Sequence, residues 1–145
     1  MSREIVLGIG IHTAAEPIYT AIASKEGLSK FWVPNVTAEP VVGSESTFQF
    51  TGAPVSLRMR VDRLDEAKEI EWTCLGDFPN WEGTKVTWSL SPEDEHGGTN
   101  VLFMHTGFSD DVPSFELGSV AHTWSSILDH LKELAETGTT TPPLT

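Results

Sequence analysis

The sequence predicts an α+β domain in which a curved antiparallel sheet wraps around one long C-terminal helix. Three observations carry this. Residues 119 to 136, "SVAHTWSSILDHLKELAE", set Val120, Ala121, Trp124, Ile127, Leu128, Leu131, Leu134 and Ala135 at helical spacing. His122, Ser125, Ser126, Asp129, Lys132, Glu133 and Glu136 fall on the opposite side, so the segment is an amphipathic helix. Several segments between residues 45 and 107 alternate apolar and polar side chains, as antiparallel strands with one dry and one wet face do. The long helix is the only large element left to cover the dry face of that sheet.

In chain order, "EIVLGIGIHT" alternates with Ile5, Leu7, Ile9 and Ile11 on one face and reads as a strand. "AAEPIYTAIASKEGLSKFW" then changes period. Pro17 stands near a helix start, Ile18 and Ile22 share a face, and Gly27 divides off a second short helix ending near Phe31 and Trp32. Strands divided by turn signals follow. "ESTFQFT" puts Phe48 and Phe50 on one side. "VSLRMRVDR" turns Val55, Leu57, Met59 and Val61 one way and Ser56, Arg58, Arg60 and Asp62 the other. "KEIEWTC" sets Ile70, Trp72 and Cys74 together, and "TKVTWSL" does the same for Val86, Trp88 and Leu90. "EHGG" reads as a hairpin turn, and "TNVLFMHTG" after it is apolar on both faces. Gly138 stands where a helix C-terminal glycine is expected, and Pro142 and Pro143 prevent resumption. The expected order is a strand, two short helices, five or six strands and the long helix.

A chain of 145 residues suits one domain, here residues 1–137, with 138–145 as a flexible C-terminal tail. No apolar run approaches the roughly 20 residues needed to span a bilayer. "MSREIVLGIG" does not read as a signal peptide. With 21 acidic and 9 basic side chains the net charge is −12, which disfavours nucleic-acid and membrane-surface partners. The single cysteine, Cys74, cannot form an internal disulfide, and the chain is expected to be cytoplasmic.

Three strings then resemble a known family. "IGIHTAAEPIYTAI" is similar to its first strand running into a helix with a central aromatic, and "EGLSKFW" to its second short helix ending in Trp. "GGTNVLFMHTGF" followed by "HTWSSILDHLKEL" resembles its last strand, with a His near the end, and its closing helix. Over residues 3 to 137 the chain resembles the helix-grip superfamily (SRPBCC) of START domains, the birch pollen allergen and polyketide cyclases. Within it, the chain is most similar to bacterial domains like the C-terminal domain of the activator of the heat-shock chaperone ATPase. The resemblance implies the helix-grip fold with a cavity between sheet and helix, but not one function, because the superfamily hosts ligand carriers, enzymes and co-chaperones. Relatives commonly carry Gly before the helix Trp. Here that position is Thr123, whose bulk is expected to narrow the space beside Trp124.

On the dry face Phe48, Phe50, Met59, Trp72 and Trp88 oppose Trp124, Ile127, Leu128 and Leu131. A close-packed core would account for them without a ligand. Against that, rigid indoles on one helix and one curved sheet are hard to pack without gaps, and the resemblance implies a cavity. The expected function is binding of a small, mostly hydrophobic or aromatic molecule there. Its lining is expected to be Trp32, Phe48, Phe50, Met59, Trp72 and Trp88, with Phe103, His105, Trp124 and Leu128 completing it. The loop "GDFPNWEGT" adds Trp81, with Phe78, either as aromatics tucked on the core edge or as a lip at the mouth.

His105 shares a face with Val101 and Phe103. It is either a satisfied structural histidine or, if the protein is a polyketide cyclase- or dehydratase-like enzyme, the acid/base. A third reading is a co-chaperone-like interaction module. No confident catalytic residue and no cofactor emerge. No two histidines lie three or four apart and there is no cysteine pair, so no metal site is read. Cys74, expected among apolar neighbours, should have a raised pKa and stay inert. Leu102 and Met104 on the wet face predict a weak symmetric homodimer.

Overall fold

Period-two alternation places most of the strands in the computed structural model, which describes residues 3–93 and 97–145. The strands are β1 (Arg3–Ile11), β2 (Val36–Thr37), β3 (Glu45–Phe48), β4 (Leu57–Asp65), β5 (Glu69–Cys74), β6 (Lys85–Pro92) and β7 (Thr99–Phe108). They form one antiparallel sheet in the order β1-β7-β6-β5-β4-β3-β2. Helices α1 (Ala15–Ala23) and α2 (Lys25–Phe31) follow β1, and α3 (Ser114–Thr137) closes the fold. This is the expected α+β helix-grip arrangement of a curved sheet and a long C-terminal helix.

The dry face is apolar apart from the buried Ser46, Thr99 and His105. Leu57, Met59, Ile70, Trp72, Val86, Trp88, Val101 and Phe103 are buried against Trp124, Ile127, Leu128 and Leu131 of α3. A smaller cluster of Ile5, Phe108, Val112 and Leu117 seals the far end. At that end Arg3 pairs with Phe108 and Glu4 with Thr106, so Gly107 is the extra residue of a bulge, at φ +93°. The bulge returns Phe108 to the core, and glycine adopts that backbone conformation without strain.

Several expectations shift. Gly27 does not separate the short helices. Ser24 does, capping α2 by accepting from the Gly27 N–H at 3.2 Å. Gly27 lies inside α2 because α1 passes against it, and a Cβ there would stand 2.1 Å from the Ala21 carbonyl oxygen. Phe50 lies beyond the end of β3 and is half-buried, while Val55 precedes β4 and is exposed. A register shift between Val61 and Arg63 interrupts the alternation of β4. Helix α3 begins five residues before the stripe that revealed it and ends on Gly138 in the left-handed conformation. The turn read at residues 95–98 falls partly outside the described residues. The tail, expected to be loose, turns back to the body: Leu144 N–H donates to the Trp32 carbonyl (3.3 Å), and Thr51 N–H to that of Thr145 (2.6 Å).

Candidate functional site: an aromatic cleft beside the C-terminal helix

Three tryptophans reach one place from unrelated parts of the chain. Trp32 comes from the C-terminus of α2, Trp124 from the middle of α3 and Trp81 from the loop between β5 and β6. The Trp32 and Trp124 rings lie 5.0 Å apart, and Trp81 stacks on Trp124 at 6.2 Å with an interplanar angle of 24°. Phe78 meets Trp81 edge-on at 5.4 Å, and Phe50 lies 5.9 Å from Phe78. These offset and edge-to-face spacings are favourable for aromatic pairs.

Together they wall a cleft of about 420 Å³, completed by Leu57, Val120, Ile127, Leu144 and the polar side chains of Glu116, Ser119 and Thr123. Its volume falls in the range of small-molecule sites. Thr123 stands in the wall, as its position before Trp124 suggested, with its hydroxyl donating to the Ser119 carbonyl at 3.1 Å.

The 76–84 loop is held rigidly at the mouth. Asp77 and Asn80 adopt positive φ (85° and 69°), a region costly for most side chains but tolerated by these two. Arg58 fixes Asp77 at 2.7 Å, and Asn80 Nδ2 donates to Glu116 Oε2 at 2.8 Å, tying the loop to the first turn of α3. Phe78 and Trp81 pack against the edge of the core and also line the cleft.

The other expected lining residues sit behind that wall. Phe48, Met59, Trp72, Trp88, Phe103 and Leu128 are buried in the core. Phe48 stacks 4.2 Å from Trp32, and Phe103 lies 4.5 Å from Trp124. They brace the cleft without lining it.

His105 differs from the expected pocket group. It is fully buried, and both ring nitrogens are engaged. Trp124 Nε1–H donates to Nδ1 at 3.1 Å, which assigns the remaining proton to Nε2. Nε2–H then donates to Thr84 Oγ1 at 2.9 Å, and that hydroxyl donates to the Trp81 carbonyl at 2.6 Å. This chain of donors orients the Trp124 indole and ties it to the Trp81 backbone. Burial pushes the His105 pKa down to about 3, so the ring is neutral at physiological pH. Cys74 Sγ lies 4.0 Å from Nε2, and burial pushes the thiol up to about 11, which leaves it inert. Among the described residues no cluster of three or more His, Cys, Asp or Glu is gathered for a metal, and no helix is long and apolar enough to cross a membrane.

A long helix laid on an antiparallel sheet, two short helices after the first strand and a cleft beside the helix define a helix-grip protein of the SRPBCC class. The chain belongs to the Activator of Hsp90 ATPase homolog 1-like protein family, whose model matches residues 12–136. It is similar to the solution structure of the Aha1 dimer from Colwellia psychrerythraea, with 29 % identity, a TM-score of 0.84 and coverage of 95 % of this chain and 99 % of that one. A crystal structure of a Mesorhizobium loti protein shares the fold at 19 % identity and TM-score 0.79, covering 91 % of this chain and 96 % of that one. One from Staphylococcus saprophyticus does so at 20 % and 0.77, covering 95 % of each chain. Among curated proteins no sequence match was found.

Proposed function

We propose that this protein binds a small, mostly apolar, aromatic or short acyl molecule in the cleft between α3 and the 76–84 loop. The observation that supports this most is the cleft itself: about 420 Å³ walled by Trp32, Trp81 and Trp124. An enzyme of the cyclase or dehydratase kind would bring at least two titratable groups into the cavity. Among the described residues the cleft has one, Glu116, and His105 is shielded behind Trp81 and Trp124. A co-chaperone-like module would instead carry a filled interior and its main patch outside. Small neutral aromatic and short acyl-ester probes should therefore quench or shift tryptophan fluorescence and raise the melting temperature with concentration. A panel that produces neither effect contradicts this reading.

We also propose that two copies associate weakly and symmetrically through the outer face of β1 and β7. Leu102 is 44 % exposed and Val6 50 % exposed, and Val6 lies opposite Met104 across the strand pair. Apolar side chains grouped on a wet face suit a contact surface, and the Colwellia relative is a dimer. Sedimentation should show dimer at high micromolar concentration and its loss in Leu102→Glu. A wild-type monomer at that concentration contradicts it.

A further inference from the structure

We infer that the cleft selects its ligand by charge, taking an apolar or aromatic amine with the ammonium group at Glu116 in preference to the matching carboxylic acid. This rests on the ligand-binding reading above and adds the chemical class. Among the described residues lining the cleft, Glu116 is the only ionisable one. It is half-buried in the first turn of α3, and Asn80 holds its carboxylate. One amide donor does not saturate a carboxylate, which has about four acceptor positions, so acceptor positions remain for an ammonium N–H.

A ligand carboxylate meets the opposite conditions. The positive end of the α3 dipole already has its anion in Glu116. The nearby cations are engaged elsewhere and neither lines the cleft. Arg3 donates to the Val112 carbonyl and, at 2.9 Å, to Ser114 Oγ, while Arg58 pairs with Glu45 and Asp77 at 2.7 Å each. An aromatic wall built of Trp32, Trp81 and Trp124 suits a cation better than an anion. The net charge of −12 favours the same sign at long range.

Three probes sharing one ring separate the contributions: 1-naphthylmethylamine, 1-methylnaphthalene and 1-naphthoate, titrated calorimetrically into the full chain at low salt. The amine should bind about tenfold more tightly than the hydrocarbon, the sum of a half-exposed ion pair and a cation–π contact, and the carboxylate more weakly than either. In Glu116→Gln the advantage of the amine should shrink to about threefold. The wild-type advantage should also decline with added salt, a test that needs no variant. Hydrocarbon binding without preference for the amine, or a preference undiminished in Glu116→Gln, overturns the charge selection at Glu116. If none of the three binds, both readings fall.

Discussion

Trp124→Ala is expected to lower the unfolding free energy by about 3–5 kcal/mol, the range for truncating a buried aromatic. The indole is 1 % exposed and touches rings on every side: Trp32 at 5.0 Å, Phe103 at 4.5 Å, Trp88 at 6.1 Å and Trp81 at 6.2 Å. Its removal also leaves His105 Nδ1 without its donor in a buried site. Trp124→Phe isolates that second effect. It keeps most of the ring, removes the N–H, and should cost about 1–3 kcal/mol for the unsatisfied acceptor. Chemical denaturation of both variants reads the two contributions. A loss below about 1 kcal/mol in Trp124→Ala, too small for such a truncation, contradicts the placement of this residue at the helix–sheet contact.

A comparable effect is expected from acid, through His105. Unfolded, the imidazole titrates near its ordinary 6.5, whereas in the fold burial holds it at about 3. Between those values the unfolded chain carries a proton that the native one does not. Stability is therefore unaffected by this group above pH 6.5, declines as pH falls below it, and levels off near pH 3. The slope is about 1.4 kcal/mol per pH unit where the unfolded imidazole is fully charged. Carboxylates also titrate in the lower part of this window, so the comparison is with His105→Asn, whose side chain does not titrate and can accept from Trp124. Between pH 6 and pH 4 the wild-type stability should fall more steeply than that of the variant by about this slope. Parallel curves contradict the buried neutral histidine.

The parts of this structure legible in the sequence are those where one physical constraint dominates. Ile70, Trp72 and Cys74 alternate because one face of β5 is dry, and the stripe from Trp124 to Leu131 repeats because α3 has one partner surface. Trp124 is visible as a candidate for the same reason, and Trp32 and Trp81 as aromatics at a helix end and in a loop. Which large side chains line the cleft and which brace it was not legible. Phe48, Trp72 and Trp88 share the pattern of lining residues, and only packing in three dimensions puts Trp32 in front of them. The partner of His105 depends on strand register: Val86 pairs with His105, which brings Thr84, two residues earlier, to its ring.

Glu116 was missed because the first turn of α3 does not look like the rest of it. Phe115 is 87 % exposed and Gly118 weakens the helical pattern, so periodicity begins only at residue 119. Pro113 followed within one turn by Glu116 was the available signal for an earlier start. Leu144 escaped because a short Thr- and Pro-rich tail has no period to read, yet its backbone N–H finds the Trp32 carbonyl. Gly27 misled for the opposite reason. Glycine between two helical segments usually marks a break, whereas here it is the only side chain small enough for the contact with Ala21.

The five tryptophans allow ligand binding in the cleft to be tested at single-residue level. Three line the cleft (Trp32, Trp81 and Trp124), and two, Trp72 and Trp88, belong to the core behind it. Each contributes one indole N–H resonance to a nitrogen–proton NMR spectrum, so a titration with 1-naphthylmethylamine reports on all five at once. Binding in the cleft should give progressive, saturable shifts for Trp32, Trp81 and Trp124, with Trp72 and Trp88 moving little. Five unmoved resonances, or shifts confined to Trp72 and Trp88, would contradict it.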